Sequence, residues 1–157
     1  MPDTPAPTSA KPALYLDDLH VGDRFVSAEH ALDAAQIVEF AARFDPQPFH
    51  LDAEAAQDTF FQGLAASGWH TAALTMRLLV DSLPLAKGII GAGGELQWPQ
   101  PTRPDDVLHV ESEVLEIVPS RSRPDRGTVQ MRVETRNRKG DVLQRFSPRL
   151  VVARRPG

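Results

Sequence analysis

From Trp69 to Ser82 the chain reads WHTAALTMRLLVDS, with Arg77 its only charge before Asp81. Wound as a helix, one face carries Trp69, Ala72, Ala73, Met76, Leu79 and Val80, and the opposite face carries Leu74 and Leu78. A helix that is apolar nearly all round has to be covered on most of its sides. At 157 residues the chain has the size of one domain. In so small a domain, a sheet wrapped around that helix is the economical cover.

The rest of the chain supplies the sheet. A first strand is expected around Arg24 to Ala31. Residues 93–98 and 106–118 are strand-like, and the apolar phase of the latter slips at Val114-Leu115, which suggests a bulge. Val129, Met131, Val133 and Thr135 alternate with Gln130, Arg132, Glu134 and Arg136, the pattern of a half-buried antiparallel strand. Asn137-Arg138-Lys139-Gly140 turns the chain into a last strand over 141–153, where Pro148 implies an edge or bulge position. Before the central helix, Asp33 reads as an N-cap with Gln36 at the capping-box position. Ile37, Phe40, Ala41 and Phe44 then recur at i, i+3, i+4, i+7, predicting a helix over 34–44. Helices grouped together rather than interleaved with strands give an α+β class with an antiparallel sheet. Residues 1–13, rich in Pro, Ala, Ser and Thr, read as a disordered lead-in, and 14–157 as a single domain.

Composition removes several functions. There is no Cys, so disulfides, thiolate metal sites and cysteine nucleophiles are excluded. A formal charge of −4 offers no electrostatic reason for a nucleic-acid or membrane partner. No apolar run approaches a membrane span, and the N-terminus has no signal-peptide core. A cytoplasmic protein is the expectation.

Chemistry concentrates between Phe40 and His70. Asp45 and His50 are five positions apart, separated by Pro46 and Pro48, which lack amide hydrogens and bias their predecessors towards extended geometry. The segment is therefore read as a stiff, non-helical loop holding a carboxylate and an imidazole at fixed separation. Further on, Ser67-Gly68 opens the central helix, whose first amides lack helical partners. Acid, base and anion site within one span suggest chemistry on a carbonyl compound.

These residues carry a resemblance to the MaoC-like dehydratases, the hot-dog family that includes (R)-specific enoyl-CoA hydratases. The family pattern is roughly S-G-D-x-N-P-[aliphatic]-H-x-[acid], a short helix, and a later A-H-G. It is met here by Phe44-Asp45-Pro46-Gln47-Pro48-Phe49-His50-Leu51-Asp52 and Ala66-Ser67-Gly68. Asp45, Pro48, His50, Asp52 and Gly68 match in type and relative spacing, while Phe44, Gln47 and Ser67 depart from the pattern. The resemblance covers about residues 35–82 and implies a hot-dog fold, an antiparallel sheet around a long central helix. It further implies that Asp45 and His50 activate a water that adds across the double bond of an enoyl-CoA thioester. The Gly68 amide would stabilise the enolate oxygen. Phe44, Phe49 and Trp69 add bulk near the site and are expected, with Ser67, to meet the substrate. No metal or other cofactor is implied, and a homodimer with its site at the subunit boundary is.

Plainer roles compete at each position. Asp45 can simply end the 34–44 helix, Asp52 and Ser67 can be N-caps, and His70 can serve the core or a subunit contact. Trp98 with Pro99, Pro101 and Pro104 reads as a turn between strands. Two other functions share the fold and ligand: an acyl-CoA thioesterase and a non-catalytic acyl-thioester-binding module. The former generally needs a carboxylate on or beside the central helix, and none occurs from Thr59 to Val80. The latter draws on the departures at Phe44, Gln47 and Ser67.

Overall fold

The computed structural model describes residues 12–157, so the expected disorder of the lead-in lies almost wholly outside the described residues. Among them the order is β1 (Arg24–Val26), β2 (His30–Ala31), α1 (Ala34–Phe44), α2 (Pro48–Leu51), α3 (Gly68–Ser82), β3 (Ile90–Gln97), β4 (Val107–Pro119), β5 (Arg126–Asn137) and β6 (Val142–Ala153). Two 3₁₀ turns, Leu16–Asp18 and Ala55–Asp58, complete it. The strands make one antiparallel sheet in the order β1-β4-β5-β6-β3, with β2 also on β4. The sheet curves around α3, which is the α+β hot-dog arrangement. The expected first strand is split, and both pieces pair with β4.

Burial explains the strands. Along β5 buried and half-exposed residues alternate over nearly the whole strand, as a sheet with one covered face requires. The ladder between β4 and β5 shifts register between Val114 and Glu116, where the phase slip pointed to a bulge. Val110, Val114, Val129, Met131, Val133, Leu143 and Leu150 form the sheet side of the core, closed by Leu78, Leu79 and Leu83 from α3 and its end. Leu32, Ile37, Leu64 and Ala66 form a smaller cluster under α1.

Four local expectations change. Pro48–Leu51 is one turn of helix with Pro48 in its first turn, because a proline there forfeits only an amide that has no helical partner anyway. Gln36 donates its backbone amide to Asp33, but its side chain turns to Ala31 O and His30 instead of closing a capping box. Pro148 lies in an interior strand, paired with Gly94 of β3 and opposite a gap in the β5–β6 ladder, so it deprives no ordered pair of a donor. Finally, α3 is not covered all round. His70, Thr71, Thr75, Leu78, Leu79 and Ser82 are buried, whereas Trp69, Met76 and Val80 are 61%, 41% and 49% exposed. The sheet reaches only one side of the helix.

Candidate active site

Asp45 closes α1 as its C-cap, donating its amide to Ala41 O. The chain then turns at Pro46-Gln47 into α2, which carries His50. Because the two residues sit on successive short elements, their side chains converge: His50 Nε2 is 3.2 Å from Asp45 Oδ2, with the side chains 6% and 17% exposed. The neighbouring residues settle what each atom can do. His50 Nδ1 is 2.7 Å from Ala65 O. A carbonyl only accepts, so Nδ1 carries a hydrogen, and in neutral His50 the lone pair is on Nε2, facing the carboxylate.

Asp45 is held equally closely. Gln47 donates its amide to Oδ1, and Ser67 donates its hydroxyl to Oδ2 at 2.7 Å. Burial pushes the Asp45 carboxyl up, but the hydrogen bonds from Gln47 and Ser67, and the charge that His50 carries when protonated, outweigh it and hold it below its ordinary value. Asp45 is an anion at neutral pH. Ser67 also accepts from Trp69 N, so it is the N-cap of α3 and a donor to Asp45 at once.

The segment between the dyad and α3 is fixed by single contacts. Ala65 N donates to Phe49 O and Ala66 N to Thr102 O. The Arg103 guanidinium donates to the carbonyls of Phe61, Gly63 and Leu64. This clamp supports the carbonyl of Ala65, which sets the His50 tautomer. Gly68 is the first residue of α3, and its amide has no acceptor among the described residues.

Asp45, His50, Gly68 and Trp69 line one cavity of ≈ 390 Å³, with Phe61, Thr71, Trp98 and Thr102 among its other walls. Ser67 reaches it through Asp45. Phe44 and Phe49, expected at the substrate, do not line it. Phe44 ends α1 and points outward, 69% exposed beside Phe40. Phe49, one position before His50 on a helical turn, points away from it and packs edge-on behind the imidazole at 4.5 Å. His70 is buried, stacked at 4.6 Å on Phe40, and its imidazole is pushed down, first by burial and then by His30. Asp52 caps Glu54 and Ala55 and leaves His50 alone. Among the described residues no cluster of three or more His, Asp or Glu side chains is arranged for a metal, and no helix is long and apolar enough to cross a membrane.

Trp98, expected in a turn between strands, is also a wall of the cavity. Its ring lies against Gly68 so closely that a Cβ on residue 68 would stand 2.6–2.7 Å from it, and its indole N–H donates to Gln144 Oε1 at 2.9 Å. The sequence held one clue: a tryptophan at a strand end brings an N–H that needs an acceptor when partly buried. The glycine is thus required by a neighbouring side chain, whatever else approaches it.

Comparison with known proteins bears on the family and the fold. The model of the MaoC-like domain matches residues 19–137. The crystal structure of a MaoC-like dehydratase from Rhodospirillum rubrum is 63% identical, with a TM-score of 0.91 over 92% of this chain and 100% of that one. The R-hydratase PhaJ1 of Pseudomonas aeruginosa is 28% identical with a TM-score of 0.75, over 92% and 88% of the two chains. A 3-hydroxybutyryl-CoA dehydratase of Methylorubrum extorquens is 32% identical over 70% of this chain and 69% of its own length. The chain belongs to the MaoC-like family of hydratases and dehydratases.

Proposed function

We propose that this protein adds water to the double bond of a trans-2-enoyl-CoA thioester to give the 3-hydroxyacyl-CoA, or removes it in reverse. The observation that carries this reading is the pairing of two acceptors. The Nε2 lone pair of His50 and the carboxylate of Asp45 face each other at 3.2 Å with no hydrogen between them in the neutral state. Two acceptors so close call for a shared donor. A water giving one hydrogen to each would satisfy both and direct an oxygen lone pair into the cavity.

The reaction follows from that arrangement. The water oxygen bonds to C3 of the enoyl group as its proton passes to the dyad. The electron pair of the C2–C3 double bond moves towards the thioester oxygen, and a proton is delivered to C2. The dyad shares the proton, so neither residue is the sole base. The oxygen of the developing enolate accepts from the free Gly68 amide, where the α3 dipole also favours negative charge. Two of the three departures from the family pattern serve the same carboxylate: Gln47 and Ser67 both donate to Asp45. That favours a working dyad over a non-catalytic binding module. The absence of a carboxylate from Thr59 to Val80 weighs against a thioesterase.

The working form in this reading is a homodimer. One side of β3 has no strand partner among the described residues; Ile90 on it is 52% exposed, and Leu96 further along it shares a cavity with Trp69 and Met76 of the exposed stripe of α3. An open strand edge next to apolar residues is a template for pairing. Light scattering should report twice the chain mass at micromolar concentration; a fully active monomer would refute the dimer.

Incubation with crotonyl-CoA tests the activity. Loss of the enoyl absorbance without thiol release is expected. Release of free thiol would indicate hydrolysis, and no change in either signal would leave the binding module.

A further inference from the structure

Beside the cavity holding Asp45 and His50 lies a second one of ≈ 380 Å³, walled by Trp69, Thr75, Met76, Leu79, Leu96, Gln144 and Phe146 among others. The two cavities follow the same face of α3: Thr71 lines the first and Thr75, one turn on, lines the second. Trp69 borders both. An acyl chain whose thioester oxygen sits at the start of α3 and which runs along the helix would pass from the first into the second.

What stands at the boundary is a tethered tryptophan. Trp98 lines the first cavity and Gln144 the second, and the indole N–H of one donates to the amide oxygen of the other at 2.9 Å. The tether is itself anchored. Gln144 is 1% exposed and donates through Nε2 to Thr75 Oγ1 at 3.2 Å. The Thr75 hydroxyl donates to Thr71 O, which leaves Thr135 as the donor in the Thr75–Thr135 contact. Every polar atom in this buried chain has a partner, and such a chain allows one arrangement. On its other side the Trp98 ring is stopped by Gly68 and meets Trp69 edge-on at 5.3 Å.

We propose that the Trp98–Gln144 pair is a partition that closes the catalytic cavity off from the second cavity and restricts this protein to short acyl chains. The substrate class is then a small enoyl thioester of about four carbons, and longer chains are excluded because their tails meet the indole. Trp98 acts here as a specificity-determining residue, and Gln144 as a positioning residue acting through it. The inference rests on the hydratase reading for the direction of the acyl chain.

The test compares chain lengths in wild type, Trp98→Ala and Gln144→Met. Hydration of crotonyl-CoA and trans-2-octenoyl-CoA would be measured beside binding of the unreactive butyryl-CoA and octanoyl-CoA by calorimetry. Wild type should favour the four-carbon substrate in kcat/KM by at least about tenfold, since even single methylenes are discriminated to that extent in shaped pockets. Trp98→Ala should erase or invert the preference in both turnover and binding. Gln144→Met, which keeps the indole but removes its acceptor, should move the ratio the same way by less. A structural role alone would lower both substrates together and leave the ratio unmoved. If Trp98→Ala does not fold, Gln144→Met and Trp98→Phe, which removes the N–H donor and one ring of the indole, carry the test.

Hydration with a chain-length ratio indifferent to these changes overturns the partition and leaves the hydratase reading intact. Saturated thioesters bound with the expected ratios, but no enoyl thioester turned over, uphold the partition and overturn the reading. Failure to bind any of the thioesters removes both.

Discussion

The central sheet and the segment from Asp45 to Gly68 are built on opposite principles. Strands β4, β5 and β6 repeat one solution: backbone ladders on both sides and an apolar face on the core. The ladder even tolerates a bulge at Val114 and a gap opposite Pro148, because neighbouring rungs hold the register. The Asp45–Gly68 segment has only one turn of α-helix and one 3₁₀ turn. Its geometry depends on single contacts, each made once: Ser67 and Gln47 to Asp45, Ala65 O to His50, Arg103 to three carbonyls. Redundancy gives the sheet stability without specificity of chemistry. Non-redundancy gives the segment fixed atoms, and makes each contact a separate point of failure.

The sharpest separation comes from the dyad. Asp45→Asn and His50→Ala should each reduce turnover of crotonyl-CoA by ~10²–10⁴-fold, the range for a positioned acid or base. Both variants should still fold cooperatively, since neither side chain belongs to the main core, although each gives up hydrogen bonds made in the wild type. Near-normal hydration by either purified variant would remove the dyad from the mechanism.

The converse variant lies in the sheet. Leu150, 2% exposed and paired across to Val129, belongs to the main core. Leu150→Ala should lower stability by ~2–5 kcal/mol in denaturant titration through the cavity it leaves. The folded fraction should hydrate substrate at the wild-type rate. A large fall in kcat at temperatures where the variant is fully folded would show that the two regions are coupled, and the contrast drawn above would fail.

The same difference explains what was legible in the sequence. Periodic elements announce themselves: Ile37, Phe40, Ala41 and Phe44 mark α1, alternation marks β5, and the slipped phase at Leu115 marks the bulge. The proximity of Asp45 and His50 was readable because few residues separate them. The non-redundant contacts were not readable, since each joins residues far apart by atoms with no periodic signature. Trp98 meets Gly68 and Gln144 across such distances. Pro48 misled because proline both ends helices and opens them. Gly68 carries a constraint of the same hidden kind: the added Cβ of Gly68→Ala, or of the amide-deleting Gly68→Pro, collides with Trp98. Loss of activity in these variants is interpretable only beside Trp98→Ala/Gly68→Ala, which keeps the amide and relieves the collision.

The smallest effect, and the finest probe of the segment, is Ser67→Ala. Ser67 serves two masters at once: it caps α3 through Trp69 N and donates to Asp45. Loss of a cap costs ~1 kcal/mol, and loss of a hydrogen bond to a carboxylate up to ~1.5–3 kcal/mol. The pH dependence of stability divides the two. The folded-state value of Asp45 is depressed, so its ionisation contributes stability that is present above the ordinary carboxylate value of about 3.9 and is lost as pH falls through the folded value. Removing the Ser67 donor raises the folded value towards the ordinary one and takes away part of that contribution. Wild type and Ser67→Ala should therefore differ most between about pH 5 and 8 and approach each other below about pH 4. A residual gap of ~1 kcal/mol should persist there from the cap, which does not titrate. A gap that stays constant across the whole range would mean that Ser67 acts only as a cap, and Asp45 would owe its depressed value to Gln47 and His50 alone.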